Sequence, residues 1–263
     1  MPHSSTVPLM AELVAPPAWR TVDFISDLHL SSDDPATFAA WQRYLQSTPA
    51  DAVFILGDLF EVWVGDDAVG AESGFEARCA SVLAQAGSSL ALFFMHGNRD
   101  FLIGSALMDR CNATLLNDPT VLSVAGQRWL LSHGDALCLD DTNYQEFRRL
   151  VRSPDWRRAF LARPLAERQA LAKDMRRQSE ARKHLGVDYG DVDADAARQW
   201  LTAAGAPVLI HGHTHKPALH DLGHGLARWV LSDWDAQANS PRAEVLRLSA
   251  GGLERIAVLA PSA

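Results

Sequence analysis

An apolar run that ends in two potential metal ligands occupies residues 22–29, which read VDFISDLH. A short run of Val, Phe and Ile followed by a turn is typical of a buried strand in an α/β sheet. In an extended segment residues i and i+2 face the same way, so Asp27 and His29 can bind one ion from one side. The stretch therefore predicts a strand whose carboxyl end carries metal ligands.

Four further apolar runs end in polar blocks. These blocks read Gly57-Asp58, Gly97-Asn98-Arg99-Asp100, His133-Gly134-Asp135 and Gly212-His213-Thr214-His215. Ligands bind outside the carboxyl ends of strands in open α/β sheets, so five such ends can converge on one crevice. Any one block alone is more often an ordinary turn, but five together indicate a shared site. The chain is therefore predicted to be an α/β protein with a metal site.

Seven residues of these blocks are the candidate metal ligands, and they are Asp27, His29, Asp58, Asn98, His133, His213 and His215. Imidazole mixed with carboxylate and amide oxygen suits borderline divalent ions such as Mn²⁺, Fe²⁺ or Zn²⁺, whereas Ca²⁺ prefers oxygen alone. Seven ligands exceed what one ion usually takes from a protein. Two ions that share one bridging carboxylate are therefore expected.

The overall composition is typical of one globular unit, since the 263 residues are 48% hydrophobic and 21% charged. No run of 18 apolar residues occurs, so no membrane-spanning helix is predicted, while attachment to a membrane surface remains open. Residues 1–20 contain four prolines and no Lys or Arg before Arg20. We expect a flexible leader over 1–20 and a single domain over 21–263.

Positive charge is concentrated in one segment, although the net charge of the chain is −8. Residues 148–183 contain twelve Lys or Arg and only four Asp or Glu. Helix signals occur in the same region, because Thr142 with Gln145 resembles a capping box and Ser153-Pro154 resembles a helix start. Short amphipathic helices are predicted. Their basic face is either an ordinary solvated surface or a lid that presents cations to anionic lipid, phosphate or nucleic acid.

The ordered blocks resemble the signature of the calcineurin-like metallophosphoesterase superfamily over residues 22–215. This resemblance implies a four-layer αββα sandwich of two mixed sheets, with a helical cap insertion, or lid, at about 141–200. It also implies a di-metal centre with Asp58 as the bridging ligand. The ligands implied for the first ion are Asp27, His29, Asp58 and His215, and those for the second ion are Asp58, Asn98, His133 and His213.

One position departs from that signature. Where the superfamily often has a histidine that protonates an alkoxide leaving group, this sequence has Arg99. Arginine cannot act as an acid near neutral pH, but its guanidinium can bind phosphate oxygens. A phosphate monoester that leaves a diphosphate needs no proton, because its second pKa is about 6. Arg99 therefore favours cleavage of a pyrophosphate over hydrolysis of a phosphomonoester.

Within the superfamily, the runs ILGDLFE at 55–61 and MHGNRDF at 95–101 closely resemble the UDP-2,3-diacylglucosamine pyrophosphohydrolases of lipid A biosynthesis. The resemblance implies Mn²⁺-dependent hydrolysis of the diphosphate bond of UDP-2,3-diacylglucosamine to UMP and 2,3-diacylglucosamine 1-phosphate, which is lipid X. Attack of metal-bound hydroxide on the α phosphorus is the expected mechanism, with Asp58, Arg99 and His133 as catalytic residues. The implied location is the cytoplasmic face of the inner membrane, as a peripheral protein.

The same resemblance implies a set of substrate-binding residues, which are Asn98, Arg99, Asp141, Tyr144, Ser179, Lys183 and His213. We expect the lipid substrate and the inner-membrane surface as partners, no nucleic acid, and a monomer. Two alternatives stay open: a metallophosphoesterase that acts on a soluble nucleotide, and a membrane- or RNA-binding module with a degenerate metal site. Apolar residues of the insert, namely Trp156, Phe160 and Leu161, argue against the first, and the complete ligand set argues against the second.

Overall fold

Twelve strands and seven α-helices make up the described part of the computed structural model. The model describes residues 7–70, 74–184 and 190–259, with residues 176 and 178–184 described by their backbone alone. In chain order the strands are β1 (Ala11–Val14), β2 (Val22–Ile25), β3 (Ala52–Leu56), β4 (Ala91–Met95), β5 (Ala113–Leu116), β6 (Thr120–Val124), β7 (Gln127–Ser132), β8 (Val208–His211), β9 (Leu219–Gly223), β10 (Leu226–Val230), β11 (Glu244–Ser249) and β12 (Gly252–Ala257). The helices are α1 (Pro35–Ser47), α2 (Phe75–Gly87), α3 (Ser105–Cys111), α4 (Thr142–Val151), α5 (Pro154–Leu161), α6 (Leu165–His184) and α7 (Ala194–Ala204).

The strands form two mixed sheets of six. The first sheet has the order β12-β11-β2-β3-β4-β5, and β2 to β5 run parallel. The second has the order β1-β6-β7-β8-β10-β9, with β7 and β8 parallel. Parallel neighbours end at the same edge of a sheet, so the polar blocks that follow β2, β3 and β4 lie together there. The blocks that follow β7 and β8 lie together for the same reason.

An apolar core fills the space between the two sheets. It contains Phe54 and Phe93 of the first sheet, whose rings stack at a centroid distance of 4.6 Å, and Leu131 and Ile210 of the second. Strand β3 is buried on both faces, because its alternate residues point into the inter-sheet core and into the core under the outer helices. Strand β3 also pairs with β2 on one side and with β4 on the other. The residues that follow its carboxyl end are therefore rigidly positioned.

Helices cover the outer face of each sheet. Helices α1, α2 and α3 pack on the first sheet, and α7 packs on the second, where Ala197 and Leu201 meet Leu130 and Leu209. The layers are thus helix, sheet, sheet and helix, which confirms the predicted αββα sandwich of two mixed sheets. Helix α7 begins within the segment expected to form the cap, yet its apolar face belongs to this outer layer.

The first helix of the insert starts one residue differently from the predicted capping box. The carboxylate of Asp141 accepts a hydrogen bond from the amide of Tyr144, so Asp141 is the N-cap and Thr142 is the first helical residue. The side chain of Gln145 donates to the backbone oxygen of Asp135. The capping-box prediction is therefore wrong, whereas Ser153 caps α5 ahead of Pro154, as predicted.

The segment expected as a flexible leader contains a strand. Strand β1 pairs in parallel with β6, and the carboxylate of Glu12 accepts hydrogen bonds from Ser123 Oγ (2.7 Å) and Arg128 NH1 (2.6 Å). Pairing with β6 satisfies the backbone groups of this segment, and Leu13 packs against the inter-sheet core, so the segment is held in the fold although its prolines resemble those of a tail. Residues 1–6 of the expected leader lie outside the described residues.

Candidate active site

The seven predicted metal ligands lie in one connected cluster at the carboxyl ends of the strands. Asp27, His29 and His215 form one group, and Asp27 also joins Asp58 and His133 in a second. Within each group the donor atoms lie within 4.8 Å of one another. Residues that follow strands of both sheets therefore lie in the same cluster, which is the convergence that the five strand ends predicted.

The first group has its donor atoms directed at one another. The Nε2 atoms of His29 and His215 are 3.2 Å apart, and His215 Nε2 lies 3.3 Å from Asp27 Oδ1. Asp27 is fully buried, and its Oδ1 accepts no hydrogen bond from the described residues. A buried carboxylate oxygen without a hydrogen-bond donor is costly unless a cation or a proton occupies the position beside it.

The second group extends to the two remaining ligands through Asn98. The Oδ1 atom of Asn98 is 3.0 Å from His133 Nε2 and 2.9 Å from His213 Nδ1. His133 Nε2 is also 3.8 Å from Asp58 Oδ2. Asp27 is common to both three-residue groups, and Asp58, expected from the resemblance to bridge two ions, belongs to the second.

Three of the histidines are oriented by acceptors outside the cluster. His133 Nδ1 donates to the backbone oxygen of Leu56 at 2.9 Å, His29 Nδ1 lies 3.2 Å from a carboxylate oxygen of Glu61, and His215 Nδ1 lies 3.9 Å from one of Asp233. The hydrogen bond at His133 leaves its Nε2 directed into the cluster, and the carboxylates beside His29 and His215 lie on the Nδ1 side of each ring, at ion-pair distance rather than in a hydrogen bond. Metal-binding histidines are commonly held in this way, because the acceptor fixes both the tautomer and the ring orientation.

The backbone at the cluster is strained. Five of the seven predicted ligands have a positive φ, namely Asp27 (55°), His29 (48°), Asp58 (52°), His213 (68°) and His215 (53°). Residues other than glycine rarely adopt a positive φ, and such backbone strain concentrates at functional sites. Neighbouring glycines allow the blocks to approach closely, since a Cβ at Gly97 would overlap the Asp58 carboxylate and one at Gly212 would overlap that of Asp27.

The charges of the cluster depend on one another. Burial opposes the charge of Asp27, but the imidazole of His215, whose Nε2 lies 3.3 Å from Asp27 Oδ1, outweighs it and lowers the pKa of that carboxyl. Burial and the neighbouring His133 lower the pKa of His213 to about 4, so His213 is neutral near pH 7. Burial also opposes the charge of His133, but the Asp58 and Asp27 carboxylates outweigh it and raise the pKa of His133 to about 9, so a divalent ion bound there would displace a proton.

These observations fit a divalent metal centre. The donor set combines imidazole nitrogen with carboxylate and amide oxygen, and the cysteines Cys79, Cys111 and Cys138 are buried outside both groups. Borderline ions of the first transition series prefer this mixture. The unsatisfied oxygen of Asp27 and the histidines oriented from outside fit the same conclusion. The identity of the ion and the role of each ligand stay predictions.

Arg99 is tied to the cluster by a carboxylate that sequence reasoning missed. One oxygen of Glu61 lies 3.5 Å from Arg99 NH1, and the other lies 3.2 Å from His29 Nδ1. The backbone amide of Arg99 donates to Asp58 Oδ1 at 2.8 Å. Its side chain keeps 18% of its surface exposed. The guanidinium is therefore positioned beside the cluster and remains accessible to an anion.

The other residues predicted to bind substrate differ in whether they lie near the cluster. Asp141 caps helix α4, and the hydroxyl of Tyr144 donates to Asp135 Oδ2 at 2.5 Å. The ring of Tyr144 lies 6.0 Å from the ring of His213 at an interplanar angle of 26°. The structure thus brings Tyr144 to the cluster. The side chains of Ser179 and Lys183 lie outside the described residues.

The apolar residues of the insert do not all face an open site. Phe160 is only 7% exposed and belongs to the core under the outer helices, and Trp156 stacks on it with a ring distance of 4.8 Å. Helical periodicity predicted an apolar face without showing what covers it. Of the three residues that argued against a soluble nucleotide, only Leu161 is exposed, at 39%. The insert therefore presents fewer of these apolar side chains to a substrate than the sequence predicted.

Buried charged residues around the cluster form a second set that the sequence did not identify. Asp100 is fully buried and accepts hydrogen bonds from the amides of Gly97 and Leu59, so it joins two of the polar blocks. Burial, together with the neighbouring Asp58 carboxylate, raises the pKa of Asp100 to about 7. Asp135 is also fully buried. The available signal was their place inside the polar blocks, directly after Arg99 and Gly134.

Comparison with known proteins agrees with the fold. The family model described as "Calcineurin-like phosphoesterase" matches residues 20–217. The chain is 46% identical over 244 residues to a protein of Chromobacterium violaceum named UDP-2,3-diacylglucosamine hydrolase, covering 89% of this chain and 98% of that protein. A protein of Ralstonia nicotianae with the same name is 46% identical over 247 residues, covering 88% and 90%. The chain therefore belongs to the calcineurin-like phosphoesterases, a family of hydrolases, and within it to the family of UDP-2,3-diacylglucosamine hydrolases.

Proposed function

We propose that the chain hydrolyses the diphosphate bond of UDP-2,3-diacylglucosamine in lipid A biosynthesis, with two Mn²⁺ ions as cofactors. The products are UMP and 2,3-diacylglucosamine 1-phosphate. Relatives that share 46% of their residues with this chain over nearly their whole length carry the name of this activity. The residues that surround the cluster support the same reaction independently of the name.

The proposed ligands divide between two ions as the family resemblance implies. Asp27, His29 and His215 would hold the first ion, and Asn98, His133 and His213 would hold the second, with Asp58 shared between the two; the proximity of these side chains supports the division. Divalent ions in such a site supply positive charge to phosphate oxygens and lower the pKa of water. The chain supplies the orientation of these side chains through Leu56, Glu61 and Asp233.

The position of Arg99 is the observation that carries the proposal. Arg99 directly follows the proposed ligand Asn98 in the sequence. Its guanidinium is held beside the cluster by the carboxylate of Glu61. A planar guanidinium can donate two parallel hydrogen bonds to phosphate oxygens, and these bonds strengthen as charge develops during phosphoryl transfer. Arg99 therefore binds and orients the diphosphate, and the site needs no acid at this position, because the departing phosphate monoester is a stable anion.

The reaction is a displacement at the phosphorus nearer the uridine. The oxygen of a water molecule forms a bond to that phosphorus, and the bond from the same phosphorus to the bridging diphosphate oxygen breaks. The bridging oxygen leaves with the sugar phosphate, the protons of the attacking water pass to solvent, and the oxygen taken from water remains in UMP. Arg99 holds the diphosphate in line for this displacement, while His133 and Asp58 provide the buried polar surroundings of the reacting group.

We expect purified, chelator-treated protein to release UMP from UDP-2,3-diacylglucosamine only after a divalent ion is added, with Mn²⁺ restoring more activity than Mg²⁺ or Ca²⁺. Hydrolysis in water labelled with heavy oxygen places the label in UMP when attack occurs at the phosphorus nearer the uridine. Label in the sugar phosphate contradicts the assigned phosphorus. Equal turnover of a soluble nucleotide diphosphate contradicts the lipid substrate, and activity without any ion contradicts the metal centre.

We also propose that the insert attaches the protein to the inner membrane from the cytoplasmic side. Helices α4 to α6 expose apolar side chains in a segment rich in arginine, and these are Phe147, Leu150, Leu161 and Met175. Such a surface suits an anionic lipid interface, because apolar groups enter the interface while cations meet the headgroups. Within the described part of the chain, no helix has the length and apolar character needed to cross a bilayer.

The exposed Leu150 provides the test of this attachment. Its side chain is 58% exposed, and we expect Leu150→Glu to weaken binding to phosphatidylglycerol vesicles about tenfold, since an apolar contact is lost and a like charge is gained. Leu219→Glu is the matched control, because Leu219 is 55% exposed on strand β9 rather than on the insert. Vesicle co-sedimentation measures both. Equal weakening by the two substitutions, or no binding by the unsubstituted protein, contradicts the proposal.

A further inference from the structure

One buried carboxylate fastens helix α4 to the loop that carries His133. Asp135 follows His133 by two residues and is fully buried. Its Oδ2 accepts hydrogen bonds from Tyr144 OH (2.5 Å), Arg148 Nε (2.8 Å) and Arg152 NH2 (3.2 Å). All three donors belong to α4 or to the residue that ends it. A single acceptor atom thus holds three side chains spread over the length of one helix.

The same helix reaches the two other loops of the second ligand group. Arg152 NH2 also donates to the backbone oxygen of Gly97 at 3.0 Å, and Gly97 directly precedes the proposed ligand Asn98. The ring of Tyr144 lies against that of His213 at 6.0 Å. Asn98 therefore directly follows a residue that α4 contacts, His133 precedes one by two positions, and the ring of His213 lies beside a ring of α4 itself.

The first ligand group has different supports. His29 is oriented by Glu61, and His215 faces Asp233. Asp27 accepts hydrogen bonds from Ser26 Oγ and from the amide of His213. None of the hydrogen bonds or ion pairs described for these three ligands involves a side chain of α4. The two halves of the cluster consequently differ in how strongly they depend on the insert.

We propose that Asp135 and Arg152 are positioning residues that couple the docking of helix α4 to binding of the second divalent ion. The proposal rests on the two-ion centre described above. Removing the Asp135 carboxylate leaves Arg152, whose side chain is only about one-fifth exposed, without its buried counter-charge, and leaves Arg148 with the more distant carboxylate of Asp118 at 3.7 Å. The helix is then held less firmly, and Arg152 no longer has the partner that keeps it in place to donate to the backbone oxygen of Gly97, the residue before Asn98.

Coupling of this kind acts in both directions. A docked helix holds Asn98, His133 and His213 in the arrangement that binds the ion, so the ion binds more tightly to the docked form. By thermodynamic linkage, ion binding stabilises docking of α4 by the same factor. Binding of the second ion therefore orders the start of the insert, which carries Tyr144 and the exposed residues Phe147 and Leu150.

The test is a titration of metal-free, full-length protein with Mn²⁺, followed by calorimetry. We expect the unsubstituted protein to bind two ions. Arg152→Met should leave the affinity for one ion unchanged and weaken the other at least about tenfold, in the range found when residues that support metal ligands are replaced. Arg149→Met is the matched control, because Arg149 is exposed on the same helix and makes none of the contacts to Asp135. It should bind both ions normally.

Hydrogen exchange at the amides of α4 provides the reciprocal readout. Saturating Mn²⁺ should slow exchange over residues 142–151 in the unsubstituted protein and in Arg149→Met, but much less in Arg152→Met. Asp135→Asn keeps the shape of the side chain and is the second variant, to be used if Arg152→Met does not fold; it should show the same loss.

The outcomes separate this inference from the proposed function. Two ions bound with unaltered affinity in both Arg152→Met and Asp135→Asn overturn the coupling while the metal centre stands. Exchange over α4 that is indifferent to Mn²⁺ in the unsubstituted protein overturns it as well. An unsubstituted protein that binds only one ion overturns the two-ion centre and the coupling together.

Discussion

Replacing Asp58 by asparagine is expected to lower the rate of diphosphate hydrolysis at least about 100-fold while the fold is retained. The carboxylate is 2% exposed and belongs to the second ligand group, so its charge is not replaced by solvent. Asparagine tolerates the positive φ of 52° at this position better than alanine does. Its side-chain oxygen can still accept the hydrogen bond from the amide of Arg99. The loss therefore reports the missing charge rather than a rearranged loop.

Turnover at saturating Mn²⁺ measures the loss of rate, and the far-ultraviolet circular dichroism spectrum shows whether the fold is retained. Asp109→Asn is the matched control, because it makes the same chemical change on the exposed surface of helix α3. It should leave the rate unchanged. A folded Asp58→Asn protein that turns over at the unsubstituted rate contradicts a mechanism that depends on this carboxylate.

The strand ends were predictable because they combine two local signals. A buried strand such as β3 is recognisable in the sequence as a short apolar run, and the Gly57-Asp58 pair indicates the turn that follows it. Parallel strands end at one edge, so the convergence of Asp27, Asp58 and Asn98 follows from topology alone. The two-sheet sandwich needed more than local pattern and came from the resemblance. Local sequence thus identified the candidate ligands, and the family resemblance predicted their arrangement in three dimensions.

The supports of the site were not predictable in the same way. Glu61 acquires its role from His29 and Arg99, which are 32 and 38 residues away in the sequence, and nothing in its own neighbourhood signals either contact. The positive φ of the proposed ligands was equally unpredictable, because nothing in the sequence distinguishes an Asp or His with a positive φ from one with a negative φ. Periodicity in the insert showed which residues share a face, but only packing shows that Phe160 is covered by the core. Long-range partners decide all three features.

Arg99→Met is expected to lower kcat/KM for UDP-2,3-diacylglucosamine about 100- to 1000-fold, because the diphosphate loses its guanidinium donor as charge develops on the phosphate oxygens. Arg99→Lys should recover only part of this loss. A lysine restores the charge but cannot donate two parallel hydrogen bonds from one planar group. Initial rates of UMP release over a range of substrate concentrations give kcat and KM for each variant.

Titration with Mn²⁺ separates a substrate contact from a structural one. The side chain of Arg99 is outside both ligand groups, so both Arg99 variants should bind Mn²⁺ like the unsubstituted protein. Arg99 and His29 contact opposite oxygens of the same Glu61 carboxylate, so a structural role would act through this link. Weakened Mn²⁺ binding by Arg99→Met would therefore show that Arg99 supports His29 through Glu61. A normal kcat/KM in Arg99→Met would contradict the diphosphate contact itself, because no other change in the variant could replace a donor at this position.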